Sequence, residues 1–140
     1  MASNIISKAD KAKMFDYLGE YENVIKKKRG QFDFNDKNLQ NFLSVNDIYL
    51  GSLNQKCTKN ALMHKYSILF EQNKPRGNTN DIVHHLLRHL RNSIAHGRIT
   101  KKGNTTYLLE DMSTDGRTVK MKGEIDSKLF FKLIDFLKNT

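Results

Sequence analysis

The sequence predicts a mainly α-helical protein with a small β-hairpin before its C-terminal helix. Apolar side chains recur at helical spacing through most of the 140 residues, and strict alternation replaces that period only after Gly103. Cys57 is the only cysteine, so no internal disulfide can form, but a chain of this length can bury a core without one. We therefore expect a helical bundle in one domain, residues 1–140.

The first helix is predicted over residues 8–29. Ser7 and Asp10 have the spacing of a capping pair, in which a side-chain oxygen accepts a bond from a free N–H of the first turn. Apolar residues then recur at helical spacing up to Gly30, a residue type that often ends helices.

Two more segments, residues 36–54 and residues 58–72, also have apolar residues at helical spacing. The first has interruptions near Asn46 and Gly51. In the second, three residues form the apolar stripe: Leu62, Tyr66 and Leu69. Residues 73–78 are rich in helix breakers, so we expect a connection there.

A fourth helix is predicted to begin at Thr79 or Asn80, either of which can cap it, with Asp81 in the first turn. At 100° per residue, one side of this helix carries an apolar stripe: Val83, Leu86, Leu87, Leu90 and Ile94. The opposite side carries polar residues: His85, His89, Asn92 and His96. We expect this polar side to face solvent.

The C-terminal part is predicted to contain the hairpin and a last helix. Tyr107 and Leu109 alternate with polar residues before Asp115-Gly116, a turn signal, and the alternation resumes after it. Asp126 or Ser127 can cap a final amphipathic helix.

Composition indicates the kind of partner. The chain has 24 Lys and Arg against 15 Asp and Glu, a net charge of +9, which favours a polyanion, although a solvated lysine-rich surface has the same composition. No segment has the ~18 apolar residues needed to span a bilayer, and the N-terminus lacks a signal-peptide core. A cytoplasmic protein without membrane contact is the expectation.

Residues 88–98 contain the candidate reaction centre. Four of the five histidines lie within thirteen residues, and Arg91 and His96 are close in sequence with polar Asn92 between them. An imidazole moves protons near neutral pH, and a permanently charged guanidinium stabilises an oxyanion, so the pair suits phosphodiester chemistry. No metal site or cofactor is required for it. Five neighbouring residues are candidates for RNA contact: Arg88, His89, Arg98, Lys101 and Lys102.

The spacing of the two candidate catalytic residues favours a homodimer. On an ideal helix Arg91 and His96 point about 140° apart, which is unsuitable for holding one phosphate. Two copies packed antiparallel along this helix would bring the arginine of one chain near the histidine of the other. We therefore expect a symmetric dimer with one composite cleft.

Residues 89–98, His-Leu-Arg-Asn-Ser-Ile-Ala-His-Gly-Arg, resemble the signature of the HEPN superfamily, in which an arginine and a polar residue precede a histidine late in a helix. The hairpin and terminal helix that follow are similar to a plasmid- and phage-associated bacterial branch. The resemblance covers residues 80–137 in detail. It implies a dimeric helical bundle that cleaves RNA without metal, with Arg91 and His96 catalytic and Asn92 orienting them. It also implies a toxin–antitoxin or antiviral defence setting with an antitoxin partner.

Other interpretations of the same residues remain open. A non-catalytic helical module could use the basic face to bind nucleic acid or protein. His85 and His89, four residues apart, could bind a transition metal, although no carboxylate accompanies them. His96 could simply favour the helix C-terminus as a cation.

Overall fold

The computed structural model, which describes residues 5–72 and 81–140, is mixed α/β, so the prediction of a mainly helical bundle is wrong. A five-stranded sheet has the order β1-β2-β5-β4-β3. The helices are α1 (Lys8–Glu20), α2 (Lys37–Val45), α3 (Gln55–Ala61), α4 (Asp81–Ala95) and α5 (Ser127–Lys138). The strands are β1 (Ile48–Gly51), β2 (Tyr66–Phe70), β3 (Ile99–Lys102), β4 (Thr106–Met112) and β5 (Val119–Asp126).

The first helical segment is confirmed. The Ser7 hydroxyl accepts a hydrogen bond from the Asp10 N–H at 3.1 Å and caps α1. A π-helical turn, Tyr21–Ile25, and a 3₁₀ turn, Lys26–Lys28, continue α1 before Gly30, whose positive φ of 83° ends the helical run.

The second and third predicted helices are wrong in their C-terminal halves, which form β1 and β2. These strands pair in parallel and are connected by α3, which contacts both of them. β2 lies between β1 and β5, and its last three residues are all buried, which places apolar side chains on both faces. A strand buried on both faces lacks polar alternation, so periodicity alone cannot tell it from a buried helix.

The hairpin and last helix are confirmed. β4 and β5 pair in antiparallel register around a turn in which Gly116 has φ 72°, and the Asp115 carboxylate accepts from the Arg117 N–H at 3.0 Å. Asp126 caps α5 by accepting from two N–H groups of its first turn.

The predicted cap of the fourth helix, Thr79 or Asn80, lies outside the described residues, as do residues 73–78 and the side chain of Asp81.

Helix α4 lies at the centre of the layer that covers the sheet. It contacts β4 and β2 of the sheet as well as α1 and α5. Its predicted apolar stripe is buried, with Ile94 half-buried at the edge of the core, and the Tyr17 hydroxyl of α1 donates to the Leu87 carbonyl at 2.5 Å. Because neighbours enclose α4 on several sides, only a narrow strip of this helix reaches solvent.

Candidate functional site

His96 lies at the end of α4, where a glycine turn stops the helix. Gly97 has φ 64°, its N–H donates to the Ile94 carbonyl at 3.2 Å, and the Arg98 N–H donates to the Ser93 carbonyl at 2.8 Å. This pair of bonds is a Schellman motif, with His96 as its C-cap. The His96 side chain is exposed and makes no side-chain hydrogen bond within the part of the chain that the structure describes.

Arg91 and Asn92 lie one turn earlier and contact each other. Arg91 Nη1 donates to Asn92 Oδ1 at 3.3 Å, and Arg91 Nη2 donates to Glu22 Oε1 at 3.1 Å. The Arg91 side chain is 32% exposed, and its buried Nε has no hydrogen-bond acceptor within the described residues. One face of the guanidinium is therefore fixed by protein groups while part of it remains accessible to a ligand.

A buried carboxylate on β4, Asp111, supports this arginine and asparagine. Asp111 Oδ2 accepts from His89 Nδ1 at 2.8 Å and from Asn92 Nδ2 at 3.3 Å, while His89 Nε2 lies 3.1 Å from the Glu71 carbonyl. Burial alone would raise the pKa of Asp111, but the hydrogen bonds from His89 and Asn92 and the attraction of His89 outweigh it, so its pKa lies below the ordinary value. The chain of bonds from Asp111 through Asn92 orients Arg91.

The expected polar, solvent-facing side of α4 is largely buried, which corrects the prediction. His89 is 2% exposed and His85 is 4% exposed. His84 stacks on Phe32 and lies 3.3 Å from the Tyr21 hydroxyl. His89 is consequently unavailable for RNA contact in this conformation, because it lies in the core with Asp111 and the Glu71 carbonyl as partners.

What remains accessible is a strip at the C-terminal half of α4, here called the α4 strip. Its members are at least partly exposed and are Arg88, Arg91, Asn92, Ala95 and His96. The structure thus places all three predicted catalytic residues on one strip. Ala95, which lies between the arginine and the histidine in the sequence, is exposed, and its small side chain would allow another surface to approach closely.

Two of the basic residues around this strip are paired with acidic residues that are not their neighbours in the sequence. Arg98 lies 3.7 Å from Glu110, and Lys102 lies 3.2 Å from Glu124. Lys101, half-buried on β3, has no ion pair with the residues described. β4 and β5 bring these two acids, which are distant in sequence, beside Arg98 and Lys102.

Arg88 has a different kind of partner. Its Nη2 donates to His85 Nδ1 at 3.0 Å. Arg88 is half-buried, so its guanidinium is held against the helix by a neutral acceptor and is not neutralised by that contact.

Sequence reasoning missed Asp111 and Glu22, although one of them left a signal. Asp111 follows Tyr107 and Leu109 at intervals of two, so alternation puts its carboxylate on the buried face of β4. A charged residue in register with buried apolar ones needs a partner inside. Glu22 left no such signal because its contact depends on how the π-helical turn packs against α4.

Within residues 5–72 and 81–140, no group of three or more histidine, cysteine or carboxylate side chains is arranged to hold a metal ion. None of the described helices combines the length and apolarity needed to cross a bilayer. No protein-family model, curated protein or solved structure matches the chain.

Proposed function

We propose that the protein is a metal-independent endoribonuclease that acts at the α4 strip. The observation that carries this proposal is the exposed strip itself, on which Arg91 and His96 reach solvent while Asp111 orients the arginine from below through Asn92. A charged group that stabilises a transition state works best when it is oriented before the reaction.

The reaction needs only two kinds of help from the protein because RNA supplies its own nucleophile, the 2′-hydroxyl. His96 takes the proton from this hydroxyl or gives one to the leaving 5′-oxygen. Arg91 holds the non-bridging oxygens as negative charge develops on the phosphorane. Bond formation from O2′ to phosphorus and cleavage from phosphorus to O5′ give a 2′,3′-cyclic phosphate and a 5′-hydroxyl. General acid–base help of this type contributes about 10²- to 10⁴-fold.

The proposed active form is a homodimer with one composite cleft. Antiparallel pairing of two α4 strips about a two-fold axis on their exposed side, halfway along the helix between residues 91 and 96, brings Arg91 of each chain toward His96 of the other. Ala95 favours this pairing because its small side chain lets two helices approach closely.

The similarity of residues 89–98 to the HEPN signature is a second ground for the proposal. This similarity is limited to that segment, because the five-stranded sheet does not belong to the helical bundle that the resemblance implies. On the basis of the similarity we also propose that the protein is a cytoplasmic toxin or antiviral effector, held in check by an antitoxin protein.

The proposal is tested by incubating the purified protein with single-stranded RNA in the presence of EDTA. We expect cleavage products with a 2′,3′-cyclic phosphate and a 5′-hydroxyl that polynucleotide kinase can label. Arg91→Ala and His96→Ala should each abolish these products. Asn92→Ala should reduce them less, because it orients the arginine without touching the phosphate.

Matched controls separate loss of chemistry from loss of fold. His64→Ala removes another accessible histidine, which pairs with Asp47 beside β1, and Arg117→Ala removes an exposed arginine of the β4–β5 turn. Both controls should cleave like wild type. Full activity in a folded His96→Ala protein would overturn the mechanism. RNA that is bound but not cut by wild type would instead assign the strip to a non-catalytic binding module.

A further inference from the structure

A groove of about 260 Å³ opens at the C-terminal end of α4, between that end, α1 and the start of β3. Its walls are mostly apolar and are formed chiefly by Met14, Phe15, Ile94 and Ile99. Pockets that take drug-sized ligands usually measure about 300–1,000 Å³, so this groove suits a smaller group, such as one planar ring system.

The groove reaches the end of α4, where the proposed chemistry lies. Gly97, which follows His96 in the sequence, forms part of its lining. Lys11 of α1 also lines the groove and supplies a cation there. A ring seated in the groove would therefore lie beside the residue that follows His96, with a positive charge among its neighbours.

Phe15 gives the groove an accessible aromatic wall. Its side chain is 68% exposed, although burying a ring of this size would be favourable. Aromatic side chains that remain accessible on single-strand-binding proteins stack with bases, and this stacking tolerates any base because every base has a π-face.

The ion pairs of nearby cations also favour a contact between this groove and a base. Because Arg98 and Lys102 are already paired with Glu110 and Glu124, their attraction for phosphates is reduced. Under the proposed function, a contact with a base would add affinity that these two cations supply only in part.

We infer that the groove lined by Phe15, Ile94 and Gly97 is a subsite for one unstacked nucleobase of single-stranded RNA, next to the phosphate that His96 addresses. This inference rests on the proposed function and extends it from a phosphate site to a nucleotide site. The apolar walls offer few hydrogen-bonding groups, so the subsite selects an unpaired base over a paired one rather than one base over another.

The test compares two oligomers of equal length and charge, a 2′-O-methylated oligoadenylate, which cannot be cleaved, and the corresponding abasic oligomer. Wild type should bind the oligoadenylate more tightly by fluorescence anisotropy. Phe15→Ala should weaken oligoadenylate binding by about 5- to 150-fold, as expected for one base–aromatic stack, with little effect on the abasic oligomer. Phe15→Tyr should retain the preference. Leu62→Ala, at another exposed apolar residue on a remote turn, is the matched control and should change neither.

Each outcome decides between alternatives. Equal losses on both oligomers, or no loss on either, overturn the base subsite. If Phe15→Ala dissociates a dimer and oligoadenylate affinity returns at high protein concentration, the groove instead holds a second copy of the chain. Wild type that cleaves RNA without any effect of Phe15→Ala overturns the subsite alone. If the wild-type protein discriminates the two oligomers through Phe15 but never cuts RNA, the endoribonuclease proposal is overturned and a base-binding site remains. If the wild-type protein neither discriminates the oligomers nor cuts RNA, both proposals are overturned.

Discussion

Replacing Asp111 by alanine tests whether the buried carboxylate supports the candidate site. The change removes the acceptor of two hydrogen bonds, from His89 and from Asn92. His89 is 2% exposed, so bulk solvent does not reach it to replace the lost partner, and an unsatisfied buried donor costs about 1–3 kcal/mol. Asn92 is half-buried and regains part of its bond from solvent. Since breaking a fully charged buried pair costs about 3–5 kcal/mol, we expect unfolding to become easier by about 2–4 kcal/mol.

Urea unfolding followed by circular dichroism measures this difference. Asp16→Ala is the control, because Asp16 is exposed on α1 and has no ion pair with the described residues, and it should change the free energy of unfolding by less than about 0.5 kcal/mol. If Asp111→Ala is no less stable than this control, the account of the buried network is wrong. A stable Asp111→Ala protein that also cleaves RNA at the wild-type rate would further show that Arg91 needs no support from β4.

Four further results are expected. Mixing inactive Arg91→Ala with inactive His96→Ala should restore part of the cleavage in verified heterodimers, and no recovery would contradict the composite cleft. Glu22→Gln should raise RNA affinity by up to about fivefold, because a surface ion pair of up to about 1 kcal/mol no longer competes for Arg91, and unchanged affinity would argue against phosphate binding there. Lys101→Ala should lower the slope of log affinity against log salt by about 0.7 if this lysine contacts one phosphate, whereas an equal slope would exclude that contact. The pKa of Asp111 lies below its ordinary value, so the contribution of this carboxylate to stability should be complete at neutral pH. The contribution should be lost as the pH falls below about 4, because the unfolded chain binds the proton first. Acid unfolding of Asp111→Asn should lack this pH-dependent loss of stability.

Local signals in the sequence predict the elements whose neighbours lie close in the chain. The cap at Ser7, the turn at Asp115-Gly116 and the cap at Asp126 all depend on contacts within a few residues, and all three are confirmed. β1 and β2 were missed because their identity depends on non-local pairing. Ile68 and Phe70 are buried on one face and Leu69 on the other, so the same short apolar run fits a helix or a central strand.

For the candidate site, sequence reasoning could select α4 and its apolar stripe but not the environment of the remaining residues. The helical period predicts that His85 and His89 lie on the side opposite the apolar stripe, and it cannot tell that β2 and β4 cover that side. The exposure of Arg91 and His96 and the burial of His89 are decided by elements distant in sequence. Acid partners such as Glu110 are invisible for the same reason.

The sheet order has a consequence for how the chain folds during synthesis. β5 lies between β2 and β4, so the parallel pair β1–β2 gains its second neighbour only when residues 119–126 have left the ribosome. Until then the edge of β2 that faces β5 presents the unpaired N–H and C=O groups of Ser67 and Leu69, a template for aggregation. Closing this sheet joins residues about 50 positions apart, a separation that slows folding and lengthens that exposure. A chain of this topology should therefore depend on chaperones more than a helical bundle of the same length would.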